Sequence, residues 1–189
     1  VDGPLVGAVQ SNVAQSVKIS ASKDENLRQF GDVMALSKEC SSAGAELIVW
    51  PETIVPAILD ERVLRLLEES HVYNQYDKRL QEHAEDGSYL LAGAHGGNPE
   101  IKDDWTIELK QKYNSAFFYT PRDGKYPRQY NKIHLVPFGE VVPFRDSAGW
   151  LHKLLMEFTP YDYDYTLDAG DEYTVFEMGG GGGEAGVTN

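Results

Sequence analysis

Cysteine is almost absent from this chain: Cys40 is the only one in 189 residues. A single thiol excludes an internal disulfide framework and a Cys-rich metal site, and it leaves the redox compartment open. Positive charge is also scarce. Seventeen Lys and Arg stand against thirty Asp and Glu, a formal net charge of −13. That balance argues against nucleic acid as a partner, because phosphate backbones are held by clustered Lys and Arg. It equally disfavours electrostatic adsorption to anionic lipid. No apolar run approaches the roughly 18 residues of a membrane span. The longest apolar region, Ala45 to Leu59, is interrupted by Pro51, Glu52 and Pro56. The N-terminus lacks a basic flank followed by an apolar run, so it does not read as a signal peptide. With no initiator Met, the first residues read as the interior of a longer polypeptide, and what is present is expected to be soluble. Motifs for several chemistries are missing as well. The five histidines (His71, His83, His95, His134, His152) show no HExxH or paired metal spacing. There is no G-x-S-x-G elbow, and Gly179 to Gly183 is not followed by the Lys-Ser/Thr of a phosphate loop.

What remains is a globular composition, 41% hydrophobic and 25% charged, long enough for one domain with a sizeable core. Leu5 to Gln10 is short, apolar and bounded by Pro4, which predicts a buried strand. Ser22-Lys23-Asp24-Glu25 matches a helix capping box, and Leu27, Phe30, Met34 and Ser37 follow at helical spacing up to Gly44. Ala45 to Trp50 predicts a second strand, so the order is β-α-β and the class α/β. Asp60 to about Ala84 reads as helix, with Val63, Leu64, Leu67, His71 and Leu80 inward. Tyr89 to Ala94 and Asn114 to Tyr119 read as strands, and the polar Asn98 to Gln111 between them as a surface excursion. Pro121-Arg122-Asp123-Gly124 is a turn signal. Tyr126 to Val136 is then expected to return as a hairpin arm carrying Lys132. Trp150 to Phe158 is a short amphipathic segment, and Thr174 to Met178 a last strand. The expected division is a domain over residues 1–178 and a flexible glycine-rich tail over 179–189.

Three residues carry candidate chemistry. Glu52 follows the apolar strand Leu47-Ile48-Val49-Trp50 and Pro51; partial desolvation at the sheet's edge would raise its pKa and make it a proton acceptor. The alternative is a solvent-facing loop glutamate. Lys132, between Tyr130 and Ile133-Leu135, could stabilise an oxyanion, worth roughly 3–4 kcal/mol per donor in well-studied cases. The alternative is a lysine on the wet face of a strand. Glu140, eight positions on, could orient or neutralise Lys132 or bind a substrate amine; otherwise it is a turn residue after Gly139. Cys40 falls on the apolar stripe of the first helix with no basic neighbour, which fits a small core residue better than a nucleophile. His134 reads as a structural hydrogen-bonder rather than a ligand.

Several blocks together resemble the nitrilase, or carbon–nitrogen hydrolase, superfamily. They are Val9-Gln10 with Asn12, Gln15-Ser16-Val17-Lys18, Ile48-Val49-Trp50-Pro51-Glu52, Tyr113-Asn114-Ser115 and Tyr130 to Pro143 with its His134-Leu135-Val136-Pro137-Phe138-Gly139-Glu140. Within the superfamily, Val-Pro-Phe-Gly-Glu looks like the branch of bacterial apolipoprotein N-acyltransferases, in their extramembrane domain. The resemblance implies an incomplete α-β-β-α sandwich and a Glu-Lys-Cys triad. In that triad Glu52 is the general base, Lys132 the oxyanion stabiliser and Glu140 a supporting glutamate. The reaction it implies is acyl transfer from a phospholipid, through a thioester, to the α-amine of a diacylglyceryl-cysteine lipoprotein. It implies no cofactor and no metal. It also implies a site at the periplasmic face of a bacterial inner membrane, beside membrane-spanning segments that these residues do not contain. Two departures stand out. The family's cysteine belongs on a strand beyond Thr174–Met178, and Ile19 stands where the family commonly has tryptophan. A fragment without that cysteine is expected to be inactive. A hydrolytic amidase or nitrilase domain and a non-catalytic binding module remain as alternatives.

Overall fold

The computed structural model describes residues 3–12, 22–103, 106–141, 150 and 166–179. The blocks at 15–19, 142–143, 151–165 and 180–189 lie outside the described residues. So do most of the expected amphipathic segment and nearly all of the expected tail. Six strands form one mixed sheet: β1 (Val6–Ala8), β2 (Leu47–Val49), β3 (Tyr89–Ile101), β4 (Ile107–Thr120), β5 (Gly124–Lys125) and β6 (Tyr130–Asn131). The order is β1-β2-β3-β4-β5, with β6 also on β4. The first three strands run parallel, and the rest pair antiparallel. Helices α1 (Lys23–Ser42), α2 (Glu61–Leu64) and α3 (Val72–Glu85) complete the α/β architecture. Among the described residues no helix is long and apolar enough to cross a membrane.

Helix α1 begins where its sequence requires. The Ser22 side chain accepts from Glu25 N while Glu25 reaches back to Ser22 N, the reciprocal capping box. It buries Phe30, Val33, Met34 and Ser37; Leu27, expected inward, is exposed instead. Helix α3 buries Tyr76, Leu80 and Ala84 against the same core, which also holds Ile48, Leu90, Ala92, Phe117 and Tyr119. The register pairs Leu90 with Tyr119 and Ala92 with Phe117, so strand alternation places these residues on one face, under the helices. On the opposite face Phe118 stacks between Tyr89 and Phe176, with Tyr126 against both phenylalanine rings.

Three expectations require correction and one is sharpened. Asn98 to Gln111 is at the surface as expected, but as paired strands. Strands β3 and β4 run through it as a long antiparallel ribbon, with a register shift at Asn98/Pro99. The expected helix from Asp60 is two helices: Asp60 caps the short α2, and His71 caps α3 by accepting from Tyr73 N. Leu67, expected inward, is only half-buried between them. The return arm from Tyr126 is reduced to Tyr130–Asn131, with Lys132 N bonded to Asn114 O just beyond it. Thr174–Met178 is not a strand. Its residues alternate half-buried and exposed, but they join no ladder; Thr174 Oγ1 donates to Gln129 O, and Phe176 supplies the packing.

Burial ranks the core positions. Leu80 is 0% exposed, whereas Leu66 is 39% exposed. Leu80→Ala is expected to cost about 2–5 kcal/mol through lost transfer energy and a residual cavity. Leu66→Ala should stay within about 0.5 kcal/mol. Denaturant unfolding of both variants measures the difference.

Candidate active site

The face of the sheet away from the helices carries the polar cluster. Tyr130 pairs with Ala116 and Asn131 with Ser115, so the next residue, Lys132, comes opposite Asn114. Asn114 in turn stands across from His95. Glu52 arrives from elsewhere in the chain. Trp50 N makes the last ladder bond, to Leu91 O, then Pro51 and a turn at Glu52 and Thr53 carry the chain out of β2, with Thr53 at φ +46. Gly93 on β3 makes room for that exit. A Cβ there would lie 2.3 Å from Pro51 O, 2.8 Å from Glu52 Cα and 2.9 Å from Thr53 N. All three are main-chain atoms, so only glycine fits. Gly170 plays a similar part behind Lys132: its N–H bonds to Lys132 O, and a Cβ would collide with Asn131 O.

Glu52, Lys132 and Glu140 meet at one point. Lys132 Nζ lies 2.9 Å from Glu52 Oε1, 2.9 Å from Glu140 Oε2 and 3.0 Å from Glu140 Oε1. The two carboxylates differ sharply in their surroundings. Glu140, 16% exposed in its side chain, is saturated: Asn114 Nδ2 donates to Oε1 at 2.8 Å and Val136 N to Oε2 at 2.9 Å. Its own carbonyl accepts from Leu167 N. Burial pushes the Glu140 carboxyl upward, but the donors on it and the Lys132 charge outweigh that and hold it below the usual value. Lys132 shows the mirror case. Burial would lower the ammonium, but the hydrogen bonds and charges of Glu140 and Glu52 hold it above the ordinary lysine range. Glu52 is 57% exposed in its side chain, so the desolvation expected at the sheet edge is not found. Its contact with Lys132 is its only polar side-chain contact among the described residues, which leaves an oxygen free to take a proton.

Other expected residues stand apart. Cys40 is half-buried rather than fully buried, and packs on the core beside Gly7 on β1. His134 is exposed and has no hydrogen-bond partner among the described residues, so it is not the structural hydrogen-bonder expected. Four participants escaped the sequence reading: Gly93, Gly170, Asn114 and His95. Asn114 sits within a quoted block, but nothing in its spacing to Glu140 announces the bond. His95 Nδ1 lies 3.3 Å from Tyr113 O. Burial, with the Lys112 charge adding, pulls its imidazole down to about 4, against a smaller upward pull from Tyr113 O and Glu140. It is therefore neutral at neutral pH. Among the described residues no group of three His, Cys, Asp or Glu could hold a metal ion.

Two tests follow from this geometry. Gly93→Ala is expected to displace Glu52 from Lys132 while leaving the helices in place, which a crystal structure of the variant would show as a broken 2.9 Å contact. The second concerns pH. Because the folded Glu140 carboxyl titrates below its unfolded value of 4.5, the stability it contributes is present above that value. It is lost as the pH falls through the lower folded value. Lys132 contributes below its unfolded 10.5 and loses that contribution as the pH rises past its higher folded value. Glu140→Gln should flatten the acid limb of the unfolding curve, measured by chemical denaturation across pH.

The carbon-nitrogen hydrolase family matches residues 5–189. The apolipoprotein N-acyltransferase of Brucella suis is 33% identical over 76% of the chain, and that of Rhizobium rhizogenes 30% identical over 78%. The chain spans about a quarter of the length of these curated relatives. The amidase from Nesterenkonia sp. superposes with a TM-score of 0.45 at 16% identity, over 72% of this chain and 46% of that one; the likeness is too loose to bear on chemistry. With its α/β sheet and a family match across nearly its whole length, the chain belongs to the carbon–nitrogen hydrolase family.

Proposed function

We propose that these residues form the acyl-transfer site of a lipoprotein N-acyltransferase. The single observation that carries the reading is the Lys132 ammonium shared between an open carboxylate and a saturated one. Such a pair divides the labour of thiol-based acyl transfer. Glu52, with an oxygen free, takes the proton from an attacking thiol and gives it to the oxygen of the departing deacylated phospholipid. It then takes a proton from the acceptor amine and returns it to the sulfur as the thioester breaks. Lys132 stays charged and supplies the positive potential that a tetrahedral oxyanion needs. Glu140 cannot serve as the base, since its oxygens are occupied; it fixes the ammonium in place. The similarity to apolipoprotein N-acyltransferases, at about 30% identity, supports a phospholipid as donor and the amine of a diacylglyceryl-cysteine lipoprotein as acceptor. The bacterial inner membrane, on its periplasmic side, is then the place of action.

The thiol is the one component without a candidate in these 189 residues. Cys40 lies on helix α1 beside β1, half-buried, while the cluster occupies the other face of the sheet. On this reading the acyl group is carried by a cysteine other than Cys40. In a polypeptide that joins these residues to that thiol, incubation with phospholipid is expected to add the mass of one acyl chain, released by hydroxylamine. Glu52→Gln and Lys132→Ala should each abolish the adduct, with a folded domain retained. Full acylation in both variants would remove the assigned roles. Release of free acid without transfer to an amine would favour a hydrolytic amidase.

A further inference from the structure

Helix α1, helix α3 and the end of β2 meet at a buried polar chain that the proposed chemistry does not use. The Trp50 indole N–H donates to Ser37 Oγ at 2.9 Å, and Ser37 Oγ lies 2.8 Å from His83 Nε2. All three residues are buried. An indole nitrogen only donates, so Ser37 Oγ accepts from Trp50. Toward His83 the hydroxyl either donates to a bare Nε2 or accepts from Nε2–H, according to the ring's tautomer. Nδ1 has no hydrogen-bond partner among the described residues; Asp86 Oδ2 stands 4.0 Å away, beyond bonding distance. Burial lowers the imidazole below its ordinary range, Lys38 adds to that and Asp86 opposes it. The neutral ring is thus the favoured form.

The position of this chain gives it meaning. Trp50 makes the last ladder bond before Pro51, which has no N–H to offer, and the turn at Glu52 and Thr53 begins at once. The indole is the last buried side chain before Glu52. Phe30 packs edge-on against it at 5.7 Å and limits its tilt; the hydrogen bond to Ser37 selects its rotamer. We propose that Ser37 and His83 are positioning residues for Glu52, holding the Trp50 indole so that the segment Trp50-Pro51-Glu52 delivers its carboxylate to Lys132. The inference rests on the acyl-transfer reading for the importance of Glu52, but its geometric content concerns the Glu52–Lys132 contact alone.

The 189-residue chain suffices for the test, with no acyl substrate, so the result is independent of the reaction. The readouts are the Lys132 ammonium titration by NMR and hydrogen exchange of the Trp50 indole N–H. Ser37→Ala and His83→Leu are expected to lower the Lys132 midpoint by an amount comparable with that caused by Glu52→Gln. Both should also lose indole protection. His83→Gln, whose amide can accept from or donate to Ser37, should restore both. If Ser37→Ala and His83→Leu reduce thermal stability but leave the Lys132 midpoint where wild type has it, the chain is merely structural and the proposal fails. Should His83→Leu not fold, Ser37→Ala, which removes a single oxygen, carries the same decision.

Discussion

Everything in the polar cluster depends on one ammonium held between two carboxylates. A lysine in strand-end surroundings would ordinarily turn to water, since its side chain gains more from hydration than from a single exposed ion pair. Lys132 is kept in because Glu140 offers both oxygens and is itself held by Asn114 and by Val136 N. The geometry is therefore fixed from the Glu140 side, by main chain and by a buried amide, rather than by the flexible lysine. Glu52 then meets a charge already in position.

The asymmetry between the two glutamates follows from where each is mounted. Glu140 lies beyond β6 in a loop whose backbone folds on itself, Gly139 N and Glu140 N both reaching Val136 O. That loop is further clamped by Leu167 N on Glu140 O. Glu52 leaves a buried strand at its carboxyl end, across Gly93, and extends into solvent. Two carboxylates with the same intrinsic acidity thus acquire different capacities: one is a fixed counter-charge, the other an open acceptor. Dividing roles through environment rather than residue type is how paired carboxylates take on different tasks.

Much of this could be read in the sequence, and the failures have physical causes. The capping box at Ser22 and the apolar runs at Leu47 to Trp50 and Tyr89 to Ala94 announced helix and parallel strands, because burial on both faces leaves a compositional mark. The ribbon through Asn98 to Gln111 left none. With water on both sides, its pairing is carried by main-chain bonds and by cross-strand charges, such as Lys102 between Glu100 and Glu108. No alternation survives to be read. The break between α2 and α3 was missed because a histidine, not Ser, Thr, Asp or Asn, caps α3. Thr174–Met178 shows the converse error. Its alternation is real and sorts exposed Tyr173 and Val175 from half-buried Thr174 and Phe176, but period two reports a half-covered extended chain, not a ladder. At the site, Glu52, Lys132 and Glu140 were named from residue type and motif. Gly93 was not, because the need for glycine arises from the approach of a segment some forty residues earlier.

The two faces of the sheet explain why the cluster can be both precise and open. Beneath the helices, Phe30, Leu80, Leu90 and Tyr119 are sealed, and polar groups that enter that layer are hydrogen-bonded to one another, His83 Nδ1 excepted. Tyr119 donates to Asp77, which Lys125 and Gln81 also reach; Trp50 bonds Ser37. That face supplies rigidity. Precision on the other face is inherited through the strands, since each residue there alternates with one anchored below: Gly93 lies between Ala92 and Ala94, and Asn114 is followed by buried Ser115. A site assembled on a single open face could not hold an ammonium within 3 Å of two separate loops by surface contacts alone. It needs its mounting points fixed from behind, and the helical layer provides that fixing. Polar residues buried in that layer at Trp50, Ser37 and His83 are then intelligible as part of the mount, placed where an apolar core would leave the rotation of the strand end unspecified.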